Sequence, residues 1–239
     1  MPEVLSPIIL MGATTMGKSD IGNEIADITN AEIVNADKFY LYAGKVFMLG
    51  LGLGRDELQD GRPRHLYGSL EPFDEPLAAE QYLAAATEVI SEIHASGKPV
   101  IVDGCIRSYN AALVGHYGLN HAVGITCDNR DKQNWRTFIR RRGQQLIRMG
   151  LFDEAEYVEK EGYSDTFPVR EGFIYKHAIN AVKGVTTKEE AEELMISGGL
   201  DLAQAQDATY MSMPGLRHIV HDRKRADVTA RSILRMLHP

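Results

Sequence analysis

Eight consecutive residues near the start of the chain have the spacing of a phosphate-binding loop. Glycines stand at the first and sixth positions, and a lysine and a serine follow, as in the pattern G-x-x-x-x-G-K-[ST]. Backbone N–H groups of such a loop point at a phosphate, the next helix adds positive potential, and the lysine adds a full charge. The residues predicted to bind a diphosphate or triphosphate are Gly12, Ala13, Thr14, Thr15, Met16, Gly17, Lys18 and Ser19. The loop alone leaves open whether the phosphate is transferred, hydrolysed or released.

Two aspartates that follow apolar runs are the candidates for proton and metal chemistry. Asp37 follows the run Ile33-Val-Asn-Ala, and Asp103 follows Val100-Ile-Val. Open α/β sheets bind substrates beyond the carboxyl ends of their strands, so we predict Asp37 to be a general base, with a turn cap as the alternative. We predict that Ser19 and Asp103 hold Mg²⁺ bound to the phosphate, Asp103 through water. Thr14 is predicted to hydrogen-bond to the same acceptor group as Asp37, with a hydroxyl that only stabilises the loop as the alternative.

The elements that must position these residues alternate between strand and helix. Short apolar runs at PIILMG, AEIVNAD, KPVIVDG, HAVGITCD and LRHIVHD alternate with helical patterns, among them 18–29, 77–95, 107–116 and 226–237. This alternation predicts a parallel α/β sheet covered by helices, as in P-loop NTPases. We expect one domain over residues 1–239, with a helical subdomain at 130–212 whose breaks fall at Gly150, Gly162 to Pro168 and Gly184. The Gly-rich segment from Phe39 to Arg64 is either an active-site cover or a surface loop.

Composition limits the class of protein. With 44% hydrophobic and 25% charged residues, the chain is neither disordered nor fibrous. A net charge of −7 disfavours general binding to nucleic acid or to anionic membranes. The two cysteines, Cys105 and Cys127, form neither a disulfide framework nor a zinc motif, and we interpret Cys105 as a packing residue. Without a secretory signal or an apolar run near the roughly 20 residues of a membrane span, the protein is expected in the cytoplasm and off the membrane.

Six segments in order resemble the isopentenyltransferases that prenylate adenine, a family of tRNA dimethylallyltransferases and shorter adenylate enzymes. The first three segments are GATTMGKS, IVNADKFYLYAG and RPRHLYGSLEPFDEPLAAEQY. The others are GKPVIVDGCIRSYNAAL, RRRGQQLIRMGLFDEAEYV and GFIYKHAINAVKGVTTKEEA. Each segment beyond the phosphate loop is weak alone, but their order is fairly specific.

The resemblance implies transfer of a dimethylallyl group from dimethylallyl diphosphate to an amine, with diphosphate as the leaving group. In this reading Asp37 takes the proton of the acceptor amine and Thr14 orients that amine. Lys18, the loop N–H groups, Mg²⁺ and Arg142, which matches the family's pyrophosphate-binding arginine, neutralise the departing charge. Arg142 lies in a basic cluster with Arg136, Arg140 and Arg141, for each of which a solvated position is the alternative.

The chain departs from the family pattern at several positions. Asp103 and Cys105 replace a Gly and a Thr or Ser, so a hydroxyl contact to the diphosphate is lost. Ala205 replaces a second pyrophosphate-binding arginine, for which Arg107 or Arg217 could substitute. Phe173 replaces an Asp that contacts the acceptor, and its ring either stacks on a base or packs internally.

The acceptor is expected to be small. The chain is shorter than the tRNA-modifying members and carries a charge of −7, so AMP, ADP or ATP is expected as the acceptor and tRNA is not. We expect Asp37, Phe39 and Phe173 to line the acceptor site. The product would then be a cytokinin-type adenine nucleotide.

Two other classes of function fit parts of the sequence. A small-molecule or nucleotide kinase would use the same loop, Asp37 as base, Asp103 for Mg²⁺ and the arginine helix as a lid. The segment HLYGSLEPFDEPLAAEQY has no evident task in a kinase. A nucleotide-binding protein without catalysis is the third class, suggested by Cys105, Phe173 and Ala205.

Overall fold

The centre of the molecule is a six-stranded sheet in which every strand pair is parallel. The computed structural model describes residues 6–44, 46–127 and 132–237. Within them the strands are β1 (Ile8–Gly12), β2 (Glu32–Asn35), β3 (Arg64–His65), β4 (Val100–Asp103), β5 (Ala122–Thr126) and β6 (Arg217–Val220). Their order across the sheet is β3-β2-β4-β1-β5-β6. Because all strands run the same way, the carboxyl ends of β1, β2 and β4 lie at one edge.

Helices cover both faces of the sheet. They are α1 (Lys18–Thr29), α2 (Arg55–Leu58), α3 (Ala79–Ala95), α4 (Arg107–Tyr117), α5 (Trp135–Arg148), α6 (Leu151–Lys160), α7 (Phe167–Glu171), α8 (Phe173–Val182), α9 (Lys188–Met211) and α10 (Ala226–Leu237). None of the helices in the described ranges is both long and apolar enough to cross a lipid bilayer.

Alternate residues of the strands supply two apolar cores. Ile8 and Leu10 of β1 face the core that contains α1 and α10, whereas Ile9 and Met11 face the core that contains α3 and α4. A strand places successive side chains on opposite faces, and both faces of a parallel sheet are covered, so every residue of β1 is buried. The nearly continuous apolar runs of the sequence have this cause.

The predicted α/β sheet of P-loop type is confirmed. The five predicted strands form β1, β2, β4, β5 and β6, and helices occupy the predicted regions. The chain from Trp135 to Met211 is helical, with α6 beginning after Gly150. These helices share the two cores with the sheet, since Ile196 and Ala203 of α9 belong to one core and Met195 to the other.

The segment from Phe39 to Arg64 is mostly packed inside, so the surface-loop interpretation is wrong for its first half. Leu41, Phe47, Leu49 and Leu51 are buried in the core. The carboxylate of Glu154 on α6 anchors the segment by accepting the backbone N–H groups of Met48 at 3.2 Å and Gly50 at 2.9 Å. Its irregular spacing concealed this burial because short 3₁₀ turns have neither helical nor strand periodicity.

Candidate active site

The phosphate loop connects β1 to α1 in the predicted position. Gly17 precedes α1 with φ 77°, a left-handed conformation that favours glycine, so the backbone can turn its N–H groups inward. Lys18 is buried, and its Nζ donates to the carbonyl of Ala13 at 3.0 Å, across the loop. The Thr14 N–H donates to Oε1 of Gln206 on α9 at 2.7 Å. The loop therefore presents a buried cation and a backbone donor that a diphosphate could use.

Asp37 lies just beyond β2 in a turn that other residues fix. The Asn35 side chain accepts the Asp37 N–H at 2.8 Å and donates to the Asp37 carbonyl at 2.9 Å. The carboxylate has two donors of its own: the Phe39 N–H on Oδ1 at 3.0 Å and the Cys105 thiol on Oδ2 at 2.9 Å. Asp37 thus has the burial and fixed orientation that a general base requires.

Burial raises the pKa of the Asp37 carboxyl above its ordinary value, because desolvation disfavours the charged form. The hydrogen bonds from Cys105 and Phe39 and the charge of Lys18 act in the opposite direction, while Asp103 adds to the rise. A carboxylate with a raised pKa accepts a proton more readily than an exposed one, as a base at neutral pH should.

Ser19 and Asp103 meet beside the loop, as predicted for a shared metal site. The Ser19 hydroxyl donates to Oδ2 of Asp103 at 2.7 Å, and Asp103 is 7% exposed. Among the described residues, no three His, Cys, Asp or Glu side chains group together as metal ligands. Any cation here would need oxygens from a bound phosphate and water.

Cys105 is more than the packing residue that the sequence indicated. Its thiol donates to Asp37, and the residue lines a cleft together with Gln206. Burial raises the pKa of this thiol well above its usual range, so the group is a neutral donor. The contact between Cys105 and Asp37 is not visible from sequence spacing, because the two residues are 68 positions apart in the chain.

Gly104 makes the approach of Cys105 possible. A Cβ at Gly104 would collide with the carbonyl group of Ala36, so the chain leaving β4 passes directly over the end of β2. Gly104→Ala is expected to lower the free energy of unfolding by about 1–3 kcal/mol, since backbone cannot yield as a side-chain tip does. Urea denaturation measures this change. Gly115→Ala is the control, because a Cβ there meets nothing within 4 Å, and an equal loss in both variants would contradict the expectation.

Comparisons with known proteins support one family. No protein-family model matches the chain. A tRNA dimethylallyltransferase of Phenylobacterium zucineum is 39% identical over 124 residues, which are 52% of this chain and 39% of that protein. The mitochondrial adenylate isopentenyltransferase 7 of Arabidopsis thaliana is 33% identical over 168 residues, 66% of this chain and 49% of that protein. Over these ranges the chain is similar to isopentenyltransferases. The matches span less than half the length of these two relatives.

A solved isopentenyltransferase has the same fold. The full-length tRNA isopentenylpyrophosphate transferase of Bacillus halodurans superposes with a TM-score of 0.81 at 20% identity, covering 98% of this chain and 97% of that one. At this level of identity the likeness shows the fold and leaves the acceptor open.

Arg142 faces the Phe39 to Arg64 segment. Its guanidinium donates to the Gly52 carbonyl at 2.7 Å and to the Glu57 carboxylate. Contact with a diphosphate would require it to leave Glu57, so its diphosphate-binding role stays a prediction. Arg136 and Arg140 pair with Glu193 on α9, and Arg141 is exposed.

The two aromatic residues predicted at the acceptor site are packed against protein. Phe39 stacks on Phe167, with ring centroids 5.4 Å apart, although its N–H holds Asp37. Phe173 lies against Gly198 and Gly199 of α9, which matches the internal-packing alternative. Contact of either ring with an acceptor remains a prediction.

The arginines that could substitute for the family arginine at position 205 lie at different places in the fold. Arg217 is at the start of β6, where it donates to the Met236 carbonyl, so it lies at the opposite end of the strand from the phosphate edge and cannot substitute. Arg107 lines a cleft of about 130 Å³ together with Cys105, Ala205 and Gln206. Arg223, which sequence reasoning missed, donates to the carbonyl of Thr15 in the loop.

Proposed function

We propose that the protein transfers a dimethylallyl group from dimethylallyl diphosphate to the exocyclic amine of an adenine and releases diphosphate. In this reaction the bond between the allylic carbon and the diphosphate oxygen breaks, a carbon–nitrogen bond forms, and the nitrogen loses a proton. The observation that carries the proposal is the pairing of a buried, doubly hydrogen-bonded Asp37 with a phosphate loop whose Lys18 charge acts on it. Similarity to isopentenyltransferases supports the same reaction.

Each residue of the site has a task in that proposal. Asp37 accepts the amine proton as the allylic carbon is attacked, which matters because the lone pair of an adenine amine is delocalised. Thr14 orients the amine. Lys18 and the loop N–H groups stabilise the charge that develops on the diphosphate. We propose that Arg142 joins them when the donor is bound.

We also propose that Mg²⁺ accompanies the diphosphate. The hydroxyl of Ser19 and the carboxylate of Asp103 are hard oxygen donors in contact, a set that suits Mg²⁺ with water and phosphate oxygens as further ligands. When bound, the ion neutralises charge on the leaving group.

Asp103→Asn tests this metal assignment. It is expected to raise the Mg²⁺ concentration for half-maximal rate by about tenfold, because an anchoring carboxylate is lost. A Mg²⁺ titration of initial rates measures the change. Asp20→Asn, at an exposed acid on α1, is the matched control, and an equal shift in both variants would remove Asp103 from the metal site.

For the acceptor we propose a free adenine nucleotide. A net charge of −7 supports this choice, since polyanionic RNA binds best to basic surfaces. Names of relatives point both ways, to adenylate and to tRNA.

The deciding experiment incubates the protein with labelled dimethylallyl diphosphate, Mg²⁺ and one acceptor at a time: AMP, ADP, ATP or unmodified tRNA. Label on the nucleotide N6 with stoichiometric diphosphate release is the expected result. Label on tRNA alone would overturn the acceptor and leave the reaction standing. Phosphoryl transfer from ATP without any prenyl transfer would overturn the reaction in favour of a kinase.

A further inference from the structure

Two neighbouring side chains, Gln206 and Cys105, lie between the phosphate loop and Asp37. The amide oxygen of Gln206 accepts the Thr14 N–H at 2.7 Å. The same side chain and Cys105 line one cleft, and the Cys105 thiol donates to Oδ2 of Asp37 at 2.9 Å. We propose that Cys105 is a positioning residue for Asp37, and that Gln206 couples this position to the occupancy of the phosphate loop. This inference rests on the proposed function.

Cys105 is held so that its thiol can act on the carboxylate. The Tyr210 hydroxyl donates to the Cys105 carbonyl at 2.8 Å, and the buried Asn110 side chain donates to that same hydroxyl at 3.0 Å. Asn110 also donates to the carbonyl of Gly104 at 3.2 Å. Two neighbouring elements, α4 and α9, therefore fix the backbone on both sides of the thiol.

Two donors orient the Asp37 carboxylate. The Phe39 N–H occupies one lone pair of Oδ1 and the Cys105 thiol occupies one of Oδ2. A carboxylate has about four acceptor positions, so positions remain for the amine proton. Loss of the thiol donor would leave the carboxyl plane free to turn, which affects proton transfer and not the binding of the prenyl donor.

Gln206 and a diphosphate compete for one donor. Thr14 has a single backbone N–H, and its acceptor is the Gln206 amide oxygen. A diphosphate oxygen that takes this N–H displaces the amide, and the position of Gln206 beside Cys105 in their shared cleft changes with it. Binding of a diphosphate in the loop thereby affects the Cys105 thiol, which donates its hydrogen bond to Asp37.

Steady-state kinetics on Cys105 variants test the positioning role. Cys105→Ala is expected to lower kcat about three- to tenfold, the loss of one hydrogen bond, with KM for dimethylallyl diphosphate unchanged within about twofold. Cys105→Ser keeps a donor and is expected to restore kcat to within about twofold of the native value. A failure of serine to rescue kcat, or a rise in KM equal to the fall in kcat, would show a merely structural residue and overturn the role.

Gln206→Leu tests the coupling, with Gln204→Leu on the exposed face of the same helix as control. Calorimetry with inorganic pyrophosphate and Mg²⁺ is expected to show about threefold tighter pyrophosphate binding in Gln206→Leu, because a competing acceptor is removed. The affinity for pyrophosphate is expected to stay at the native value in Gln204→Leu and in Cys105→Ala. The double variant Cys105→Ala/Gln206→Leu is expected to have about the kcat of Cys105→Ala alone, since both changes act through the position of Asp37. Additive losses in kcat would overturn the coupling.

The two proposals can fail separately. If the native protein transfers no prenyl group to any acceptor, the proposed function fails, and calorimetry alone then decides the coupling. Pyrophosphate affinity that is the same in Gln206→Leu and Gln204→Leu would overturn it.

Discussion

Asp37→Asn is expected to lower kcat for prenyl transfer by about 10²–10⁴-fold, the usual contribution of a positioned general base. Asn fits the same space and its amide oxygen can keep one of the two hydrogen bonds that the carboxylate accepts, so the affinity for pyrophosphate should stay within about twofold. Single-turnover rates with dimethylallyl diphosphate and AMP measure the loss. Unchanged turnover would mean that Asp37 only caps the turn after β2.

The same substitution is expected to increase stability at neutral pH. Because burial raises the pKa of Asp37 in the folded state, the folded protein holds this proton more tightly than the unfolded chain does. The stabilising contribution of the group is therefore complete below its unfolded pKa of about 3.9 and is lost as pH rises through the raised folded value. Asn carries no charge at any pH, so its advantage over Asp should grow across that interval.

Thermal unfolding of both proteins between pH 3.5 and 8 measures this dependence. The activity of the native protein should show the matching acid limb, since kcat/KM falls as Asp37 becomes protonated. A difference in stability that does not change with pH would contradict the raised pKa.

Lys18→Met is expected to lower kcat/KM for dimethylallyl diphosphate by about 10²–10³-fold, the typical cost of one preorganised donor to a developing charge. Lys18 is 7% exposed and directed across the loop, so no other described lysine takes this position. Calorimetry with pyrophosphate measures the accompanying loss of affinity. Lys98→Met is the control, because Lys98 pairs with Glu32 at the amino ends of β4 and β2, and an equal loss there would refute the assignment to the loop.

Sequence reasoning found the residues whose chemistry depends on strand ends. The phosphate loop, Asp37 and Asp103 each follow an apolar run, and a parallel sheet must bring such ends together. The contacts of Cys105 and Gln206 could not be inferred, since Gln206 is 192 residues from Thr14 and reaches it only by the packing of α9. Strand β3 was missed because two residues are too few to show alternation.

The partners of charged surface residues also could not be predicted from the sequence. Arg142 matched a family position, but its partner Glu57 lies in a segment with no regular pattern. Exposed side chains on one helix face different neighbours, and the identity of each neighbour depends on the tertiary fold.

The burial of residues such as Phe47 and Leu49 between Leu41 and Leu53 restricts changes in the length of this segment during evolution. Insertions are tolerated where a segment lies in solvent, whereas here they would displace Phe47 and Leu49 from the interior. Differences in length between related chains should therefore accumulate at exposed positions such as those near Phe73, which is 67% accessible, and leave the interior segment constant in length.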